Sequence, residues 1–581
     1  MQEKILETKI CKKCNISFLI TDKDLEFYDK ISPSFPSPDF KKSGLKKIQI
    51  PTPTLCPDCR QQRRFCWRNE KNLYRRKCDL TGKDILSIFS PDKKYVIYNS
   101  DDWWSDKWDP LDYGKEYDFT KTFFEQFDSL QKQVPLLNLT AAFNSENSDY
   151  ATFSGKMKDC YMISGGWTCE KTMYSSRIVY TNNVIDSLDG TNLEQSYQTI
   201  NCEGCFSCIY CMNSNNCNTS YFLYECENCS DCFMCYNLVG KKYYIDNKSY
   251  TKEEYFKQIE DLKQKYFLLG LSVLDEMKKK AINKNLMIIG SEDCIGDNLK
   301  NCKNCNYSFH LENSQNCKYA ENGGMGCSNV YDAMGIGENF DLGYEILDTG
   351  LNAIGTYFGI TCYTCNNSFY NINCHNCSNI FGCIGVRNGQ YCILNKQYSK
   401  EEYDILVPKI IENMRKNDEW GEFFPSSISP FGYNETINTE YFPLRKEEAL
   451  KLGFNWSTYE APFTKVQKII PANKLPKNIS DIPDDILNRA IMPENVGNEN
   501  IRSLQKPFRI VKQELDFYRK YSLPIPKIHP DQRHLDRVKL RNPRKIYDRK
   551  CDKCGKDIKT TFKKDRQEIV YCEECYNKEI Y

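Results

Sequence analysis

Cys11-Lys12-Lys13-Cys14 and Cys56-Pro57-Asp58-Cys59 set two thiol pairs near one end of the chain. Cys551-Asp552-Lys553-Cys554 and Cys572-Glu573-Glu574-Cys575 set two more near the other. A C-x2-C turn spaces two sulfurs for one ion, so two such turns fill a tetrahedral shell. Four thiolates leave no open position for water, so the chemistry expected of Cys11, Cys14, Cys56, Cys59, Cys551, Cys554, Cys572 and Cys575 is structural zinc binding. From Cys551 to Cys575 the pattern is C-x2-C-x17-C-x2-C, a zinc-ribbon spacing, and Gly555 suits the turn after the first pair. Lys556 to Tyr571 is expected to supply the intervening hairpin. The gap from Cys14 to Cys56 is longer and needs an inserted hairpin, with Phe18, Ile20, Phe27, Tyr28 and Ile31 as its apolar residues. The competing reading is buried cysteine pairs without metal.

A basic run adjoins each quartet. Arg60, Arg63, Arg64, Arg68, Lys71, Arg75, Arg76 and Lys77 face a single acid, Glu70, with Phe65, Trp67 and Tyr74 between them. Arg541, Arg544 and Lys545 precede the second quartet. Cations neutralise phosphates and aromatic rings stack on unpaired bases, so Arg60, Arg63, Arg64, Arg68, Arg75, Arg76, Arg541, Arg544 and Lys545 are candidate RNA contacts. The plainer reading of each run is a solvated helix packed by its apolar side.

These elements need a scaffold, and residues 160–250 carry its signature. An apolar residue recurs every 12 positions: Tyr161, Met173, Ile185, Tyr197, Ile209, Tyr221, Phe233, Ile245. Cys169, Cys205, Cys217 and Cys229 share the beat. Short units of this kind bury an apolar side only by stacking. Asn, Gly and Ser between the apolar positions suit a strand-and-turn coil, with a period of 12 or 24. The block returns 148 positions on, with Cys229/Cys377, Tyr243/Tyr391, Asn247/Asn395 and Tyr255/Tyr403. Cys305, Cys317, Cys365 and Cys377 are expected to keep the beat in that second copy. Thr251-x2-Glu254 and Ser399-x2-Glu402 are capping boxes that start a helix after each copy, expected to close the open end of the solenoid.

The runs Cys202-x2-Cys205-x2-Cys208-x2-Cys211 and Cys226-x2-Cys229-x2-Cys232-x2-Cys235 resemble a ferredoxin motif, but the last spacing and the missing proline differ. Ser214, Cys217, Ser220 and Ile380 occupy equivalent places, which points to small inward residues rather than ligands. Extra zinc and iron–sulfur binding are the alternatives.

Charge is balanced, 79 basic against 78 acidic residues, so overall charge selects no partner. Residues 1–20 show no secretion signal and no run of about 18 apolar residues occurs, so the expected place is cytoplasmic, without a membrane span. There the 32 cysteines are expected as ligands or core residues rather than disulfides. His310, His375, His529 and His534 are scattered, and no phosphate loop or nucleophile elbow occurs, so no enzyme is expected.

The fold class expected is mainly β with added helices: two duplicated β-solenoid blocks of 12-residue period, flanked by N- and C-terminal zinc ribbons. The domains run 1–80 (ribbon and basic segment), 81–150 (aromatic-rich), 151–250 (first solenoid), 251–290 (capping helix), 291–398 (second solenoid), 399–416 (capping helix), 417–505 (connector, with a helix over 445–451) and 506–581 (basic segment and ribbon). Trp103, Trp104 and Trp108 are expected to pack inside the second of these. Asp118 to Gln133 reads as a helix with Phe119, Phe123, Phe127 and Leu130 on one face.

The Cys56-Pro57-Asp58-Cys59-Arg60 stretch with Arg63 and Arg64, the Trp104-Ser105-Asp106-Lys107-Trp108-Asp109 stretch and the closing ribbon resemble a cysteine-rich bacterial family of small-genome lineages. The resemblance implies ribbons at both ends and no particular activity. The expected function is a non-catalytic, zinc-binding cytoplasmic protein that holds RNA or a ribonucleoprotein by its basic ends. The alternatives are a protein-interaction scaffold using the solenoid face and an iron–sulfur redox protein.

Overall fold

The computed structural model describes residues 3–36, 44–140, 142–323, 326–462, 468–494 and 506–581. The chain divides into two compact units, each built from two stretches: Met1–Thr140 with Met287–Tyr459, and Ala141–Leu286 with Glu460–Tyr581. Each unit therefore combines one solenoid with one cysteine quartet, so domains separated in sequence pack as one body.

In the second unit a 12-stranded, almost wholly parallel sheet runs in sequence order up to the hairpin of Lys242–Ile245 with Lys248–Ser249. Tyr197 pairs with Ile209, Ile209 with Tyr221 and Tyr221 with Phe233, so one coil advances the chain by 12 positions and not 24. The coil is made of triplets. Every third residue has left-handed backbone, as at Asn201, Ser207, Tyr210, Asn213 and Asn216, with φ between 50° and 57°. That region costs a non-glycine residue roughly 1 kcal/mol or more, least for Asn and Asp, which accounts for the abundance of Asn at these corners. Ladder bonds such as Asn213 N–H to Ile200 O (3.0 Å) and Asn216 N–H to Glu203 O (2.8 Å) satisfy the corners from the preceding coil.

A second third of the residues points inward. Thr199, Cys202, Cys205, Cys208, Cys211, Ser214, Cys217 and Ser220 are all buried, and the cysteines share an interior cluster with Val184, Leu193 and Leu223. The apolar beat that reveals the repeat lies elsewhere. Met173, Ile185, Tyr197, Ile209, Tyr221 and Phe233 pack with Tyr255, Ile259, Phe267 and Leu274 in a separate cluster, beneath helices on the flank of the coil. The helix Lys252–Tyr266 packs on the terminal coil, with Tyr255 and Phe256 against Tyr243, and along the flank, with Tyr266 against Phe222 and Phe233; Ser272–Lys280 joins the same flank cluster. Both capping boxes form, with Glu254 N–H donating to Thr251 Oγ1 and Glu402 N–H to Ser399 Oγ, each at 3.2 Å.

In the first unit an 11-stranded sheet spans Ile288–Ile289 to Lys396–Gln397. Its closing elements repeat those of the other copy. Ser230–Tyr236 and Ser378–Phe381, Lys242–Ile245 and Gln390–Ile393, Lys252–Tyr266 and Lys400–Lys416 all keep the offset of the duplication. The beat is not constant. Lys318 pairs with Tyr331, Tyr331 with Tyr344 and Tyr344 with Tyr357, three steps that are each longer by one position. Cys317 therefore lies one residue before Lys318 on the ladder of Val330, Gly343, Thr356 and Ser368, and Cys365 belongs to another. That Cys317 and Cys365 stand a whole number of regular coils apart is a coincidence of three longer coils, which corrects the expected register.

Trp103 and Trp108 are buried, and their indole N–H groups donate to Pro135 O and Trp103 O. Trp104 is part exposed at 38%. The expected helix over 118–133 begins only at Phe123, because Glu419 accepts from Phe123 N–H and Phe124 N–H (2.8 and 2.9 Å) and fixes the first turn there; Phe119 lies outside it, exposed. Lys446–Lys451 is helical as expected.

Candidate metal centres and the arginine clasps

Both terminal quartets close. Within Cys11, Cys14, Cys56 and Cys59, and within Cys551, Cys554, Cys572 and Cys575, all four sulfurs lie within 4.8 Å of one another. Cys14 and Cys56 approach to 3.6 Å and Cys554 and Cys572 to 3.8 Å. Disulfide sulfurs would stand at about 2.05 Å. A tetrahedral shell with metal–sulfur bonds of about 2.3 Å has edges of about 3.8 Å, so each quartet could hold one metal ion.

The local sequence explains the geometry. Each first pair sits on a turn straddled by a hairpin, Ile5–Ile10 with Ser17–Thr21 and Tyr547–Lys550 with Asp557–Thr560. The C-terminal hairpin thus lies around the first pair, not across 556–571. Asn15 and Gly555 take left-handed backbone (φ 59° and 74°) to close the turns. Each second pair opens a helix, Pro57–Phe65 or Glu573–Ile580, rather than a second ribbon turn. A helix N-terminus favours thiolate over thiol. Burial pushes the Cys551 thiol up, but the N–H groups of Cys554, Cys572 and Lys553 outweigh it and bring it to about 6. Phe18 and Ile20 pack on the first quartet, while Phe27, Tyr28 and Ile31 belong to the helix Asp22–Ile31 and the main core of that unit.

The central cysteines do something else. Each inward sulfur donates to the carbonyl two residues before it, as Cys202 to Ile200 O (3.4 Å) and Cys226 to Tyr224 O (3.6 Å). Ser196, Ser214 and Ser220 make the same bond to Glu194, Met212 and Asn218. Cysteine and serine interchange there because both are small and both cap that carbonyl. Burial pushes Cys169 and Cys211 up to about 11, so they stay neutral thiols. Among the described residues, only the two terminal quartets gather as groups that could hold a metal ion.

Most of the arginines singled out for RNA turn inward. Arg60 holds Asp332 at 2.9 Å, Arg63 holds Glu345 and Glu422 at 2.7 and 2.6 Å, and Arg64 stands 3.4 Å from Asp332. Arg68 pairs with Glu70 at 2.6 Å. Arg60 and Arg64 are 2% exposed. Burial would lower the Arg60 pKa, but Asp332 together with the Tyr28 and Tyr344 hydroxyls outweighs it and holds the guanidinium well above its usual value. In the other unit Arg541 holds Asp189 at 2.9 Å, and Arg533 and Arg537 both close on Asp186 at 2.7 and 3.0 Å. Arg76 is half-buried and pairs with Asp79; Arg544 is half-buried; Arg75 and Lys545 are exposed. Cations were legible in the sequence, but their direction was not. The carboxylates that orient them, Asp186, Asp332 and Glu345, were missed; the one available signal was that Asp332 and Glu345 stand one of the longer coils apart.

No protein-family model and no curated protein matches the chain. Among solved structures it is similar to a "putative acetyltransferase" from Desulfovibrio desulfuricans G20, with 12% identity over 39% of this chain and 66% of that one and a TM-score of 0.10. That overlap is too slight to bear on fold or activity. No helix among the described residues is long and apolar enough to cross a membrane.

Proposed function

We propose that the protein is a non-catalytic scaffold in which two zinc-bearing end pieces each lock onto a β-solenoid and leave a polar solenoid face to bind a protein partner. The observation that carries this is the burial of Arg60, Arg63, Arg64, Arg533 and Arg537 against solenoid carboxylates. Cations spent inside the protein cannot neutralise phosphates, so the RNA reading keeps only peripheral residues such as Arg75 and Lys545. The polar ladders of the second unit also disfavour a polyanion: one carries Glu203, Asn215 and Glu227 in register, with the Tyr581 hydroxyl donating to Glu227, and another carries Glu170, Asn182 and Glu194. Zinc is favoured by four thiolates at tetrahedral spacing, a closed shell typical of structural sites.

The test is photo-crosslinking from positions 203 and 215 in nuclease-treated extract, with position 211 of the buried interior as control. One protein species joined from the ladder positions alone supports the scaffold. RNA retained by the purified protein at physiological salt, and released when Lys545 and Arg75 become Glu, would overturn it. Metal analysis should return two zinc ions per chain.

A further inference from the structure

Residues 76–85 and 549–558 read Arg-Lys-Cys-Asp-Leu-Thr-Gly-Lys-Asp-Ile and Arg-Lys-Cys-Asp-Lys-Cys-Gly-Lys-Asp-Ile, alike at all but two positions. The likeness extends to the second pair. Cys78, Thr81, Asn99 and Asp102 have the spacing of Cys551, Cys554, Cys572 and Cys575, x2, x17, x2.

The geometry matches in each detail. Lys77 stands opposite Asp84 across a hairpin, as Lys550 stands opposite Asp557. Gly82 N–H donates to Cys78 O and Cys78 N–H to Lys83 O, both at 2.8 Å; Gly555 and Cys551 make the same pair of bonds at 2.9 and 2.8 Å. Gly82 has the left-handed φ of 70° that Gly555 has at 74°. Asp79 accepts from Ile97 N–H and Asp552 from Val570 N–H, each at 2.7 Å. Arg76 pairs with Asp79 as Arg549 pairs with Asp552. Asn99 N–H reaches Cys78 Sγ at 3.5 Å, where Cys572 N–H reaches Cys551 Sγ at 3.2 Å.

Only the ligands differ. Where the sulfurs of the metal-binding quartet converge, Asn99 Nδ2 donates to Asp102 Oδ2 and to Cys78 Sγ, the latter at 3.7 Å. Cys78 Sγ stands 3.9 Å from Asp102 Oδ2, and Lys107 Nζ donates to Asp102 Oδ1 at 2.8 Å. A tethered ammonium and an amide thus supply the positive charge and the cross-links that an ion supplies elsewhere. We propose that residues 76–102 form a third metal-knuckle, pinned by the Cys78–Asn99–Asp102–Lys107 hydrogen bonds instead of an ion, with a backbone cage still shaped to take a tetrahedral metal. This pin should hold when chelation opens the two terminal quartets.

The experiment uses the full chain. Thr81→Cys, Asn99→Cys and Asp102→Cys are combined, and bound zinc is counted after dialysis. The wild type should hold two ions and the triple variant three, the third visible as added thiolate-to-cobalt absorption on cobalt exchange. Three ions in the wild type, or two in a folded triple variant, overturn the proposal. Should the variant fail to fold, hydrogen exchange on the wild type decides. With excess chelator, amides of 76–85 should stay protected while those of 549–558 lose protection; loss in both overturns it.

Discussion

Arg537 closes on Asp186 at 3.0 Å, and neither side chain has any solvent exposure. Arg533, one helical turn earlier, holds the other oxygen of the same carboxylate. The first unit has the same clasp, with Arg60 and Arg64, one turn apart, on Asp332. Both aspartates sit at left-handed corners of a coil. Removing the carboxylate would leave Arg537 or Arg60 buried without its carboxylate, while Arg533 and Arg64 would keep only longer contacts to Glu514 and Glu345 at 3.4 and 3.5 Å, so Asp186→Ala and Asp332→Ala should each cost about 3–5 kcal/mol. Denaturant unfolding followed by hydrogen exchange would show it. A loss below about 1 kcal/mol, typical of exposed pairs, would show the clasps to be incidental.

The interior thiols should tolerate serine. Cys208 lies on one ladder between Ser196 and Ser220, which make its bond to the preceding carbonyl. Cys208→Ser should change stability by less than about 1.5 kcal/mol, whereas Cys208→Leu should overpack the narrow coil and cost about 1–3 kcal/mol. Neither should alter the amount of metal bound. Metal lost on Cys208→Ser would revive an iron–sulfur or extra-zinc role for this region.

What could be read from the sequence was whatever repeats. The regular step, the duplication, both capping boxes and both quartets follow from periodicity and spacing alone. Direction could not be read. Tyr197 and Cys208 both recur on the same beat, yet one lies under a helix on the flank and the other inside the coil. Arg63 looks like a surface cation until Glu345 and Glu422 fold against it. The knuckle at Cys78 was hidden because three of its four thiols are gone, although the residues around them are nearly unchanged.

Glu225 should make the second unit sensitive to pH. Burial raises its carboxyl to about 7, only partly offset by the hydroxyls of Tyr576 and Tyr224. The folded state therefore holds a proton that the unfolded chain releases near its ordinary value of 4.5. Stability from this group is full below about 4.5 and is lost as pH rises through about 7. Glu225→Gln should flatten that slope and stabilise the protein above pH 7 by up to about 3 kcal/mol. Unfolding curves at several pH values would check it, and an unchanged slope in the variant would refute the assignment.

Asn247 and Asn395 end the two solenoids by standing in for a missing coil. Tyr236 N–H donates to Asn247 Oδ1 and Asn247 Nδ2 to Tyr236 O, both at 2.9 Å. Ile384 and Asn395 exchange the same pair of bonds at 2.8 Å. Each amide thus satisfies one N–H and one C=O at the end of the preceding coil, as the backbone of a further full coil would, and keeps those groups from pairing with another chain. Both residues have left-handed backbone, φ 59° and 63°, which glycine also adopts, so Asn→Gly removes the amide without straining the turn. Each orphaned pair should cost about 1–3 kcal/mol. Asn395→Gly should cost more than Asn247→Gly, because Asn395 is fully buried and also donates to Pro110 O at 3.0 Å. Thermal unfolding with light scattering would measure both losses. Concentration-dependent aggregation of the variants, absent in the wild type, is the expected mark of an opened edge, and a variant as stable and as dispersed as the wild type would show that the amides are dispensable.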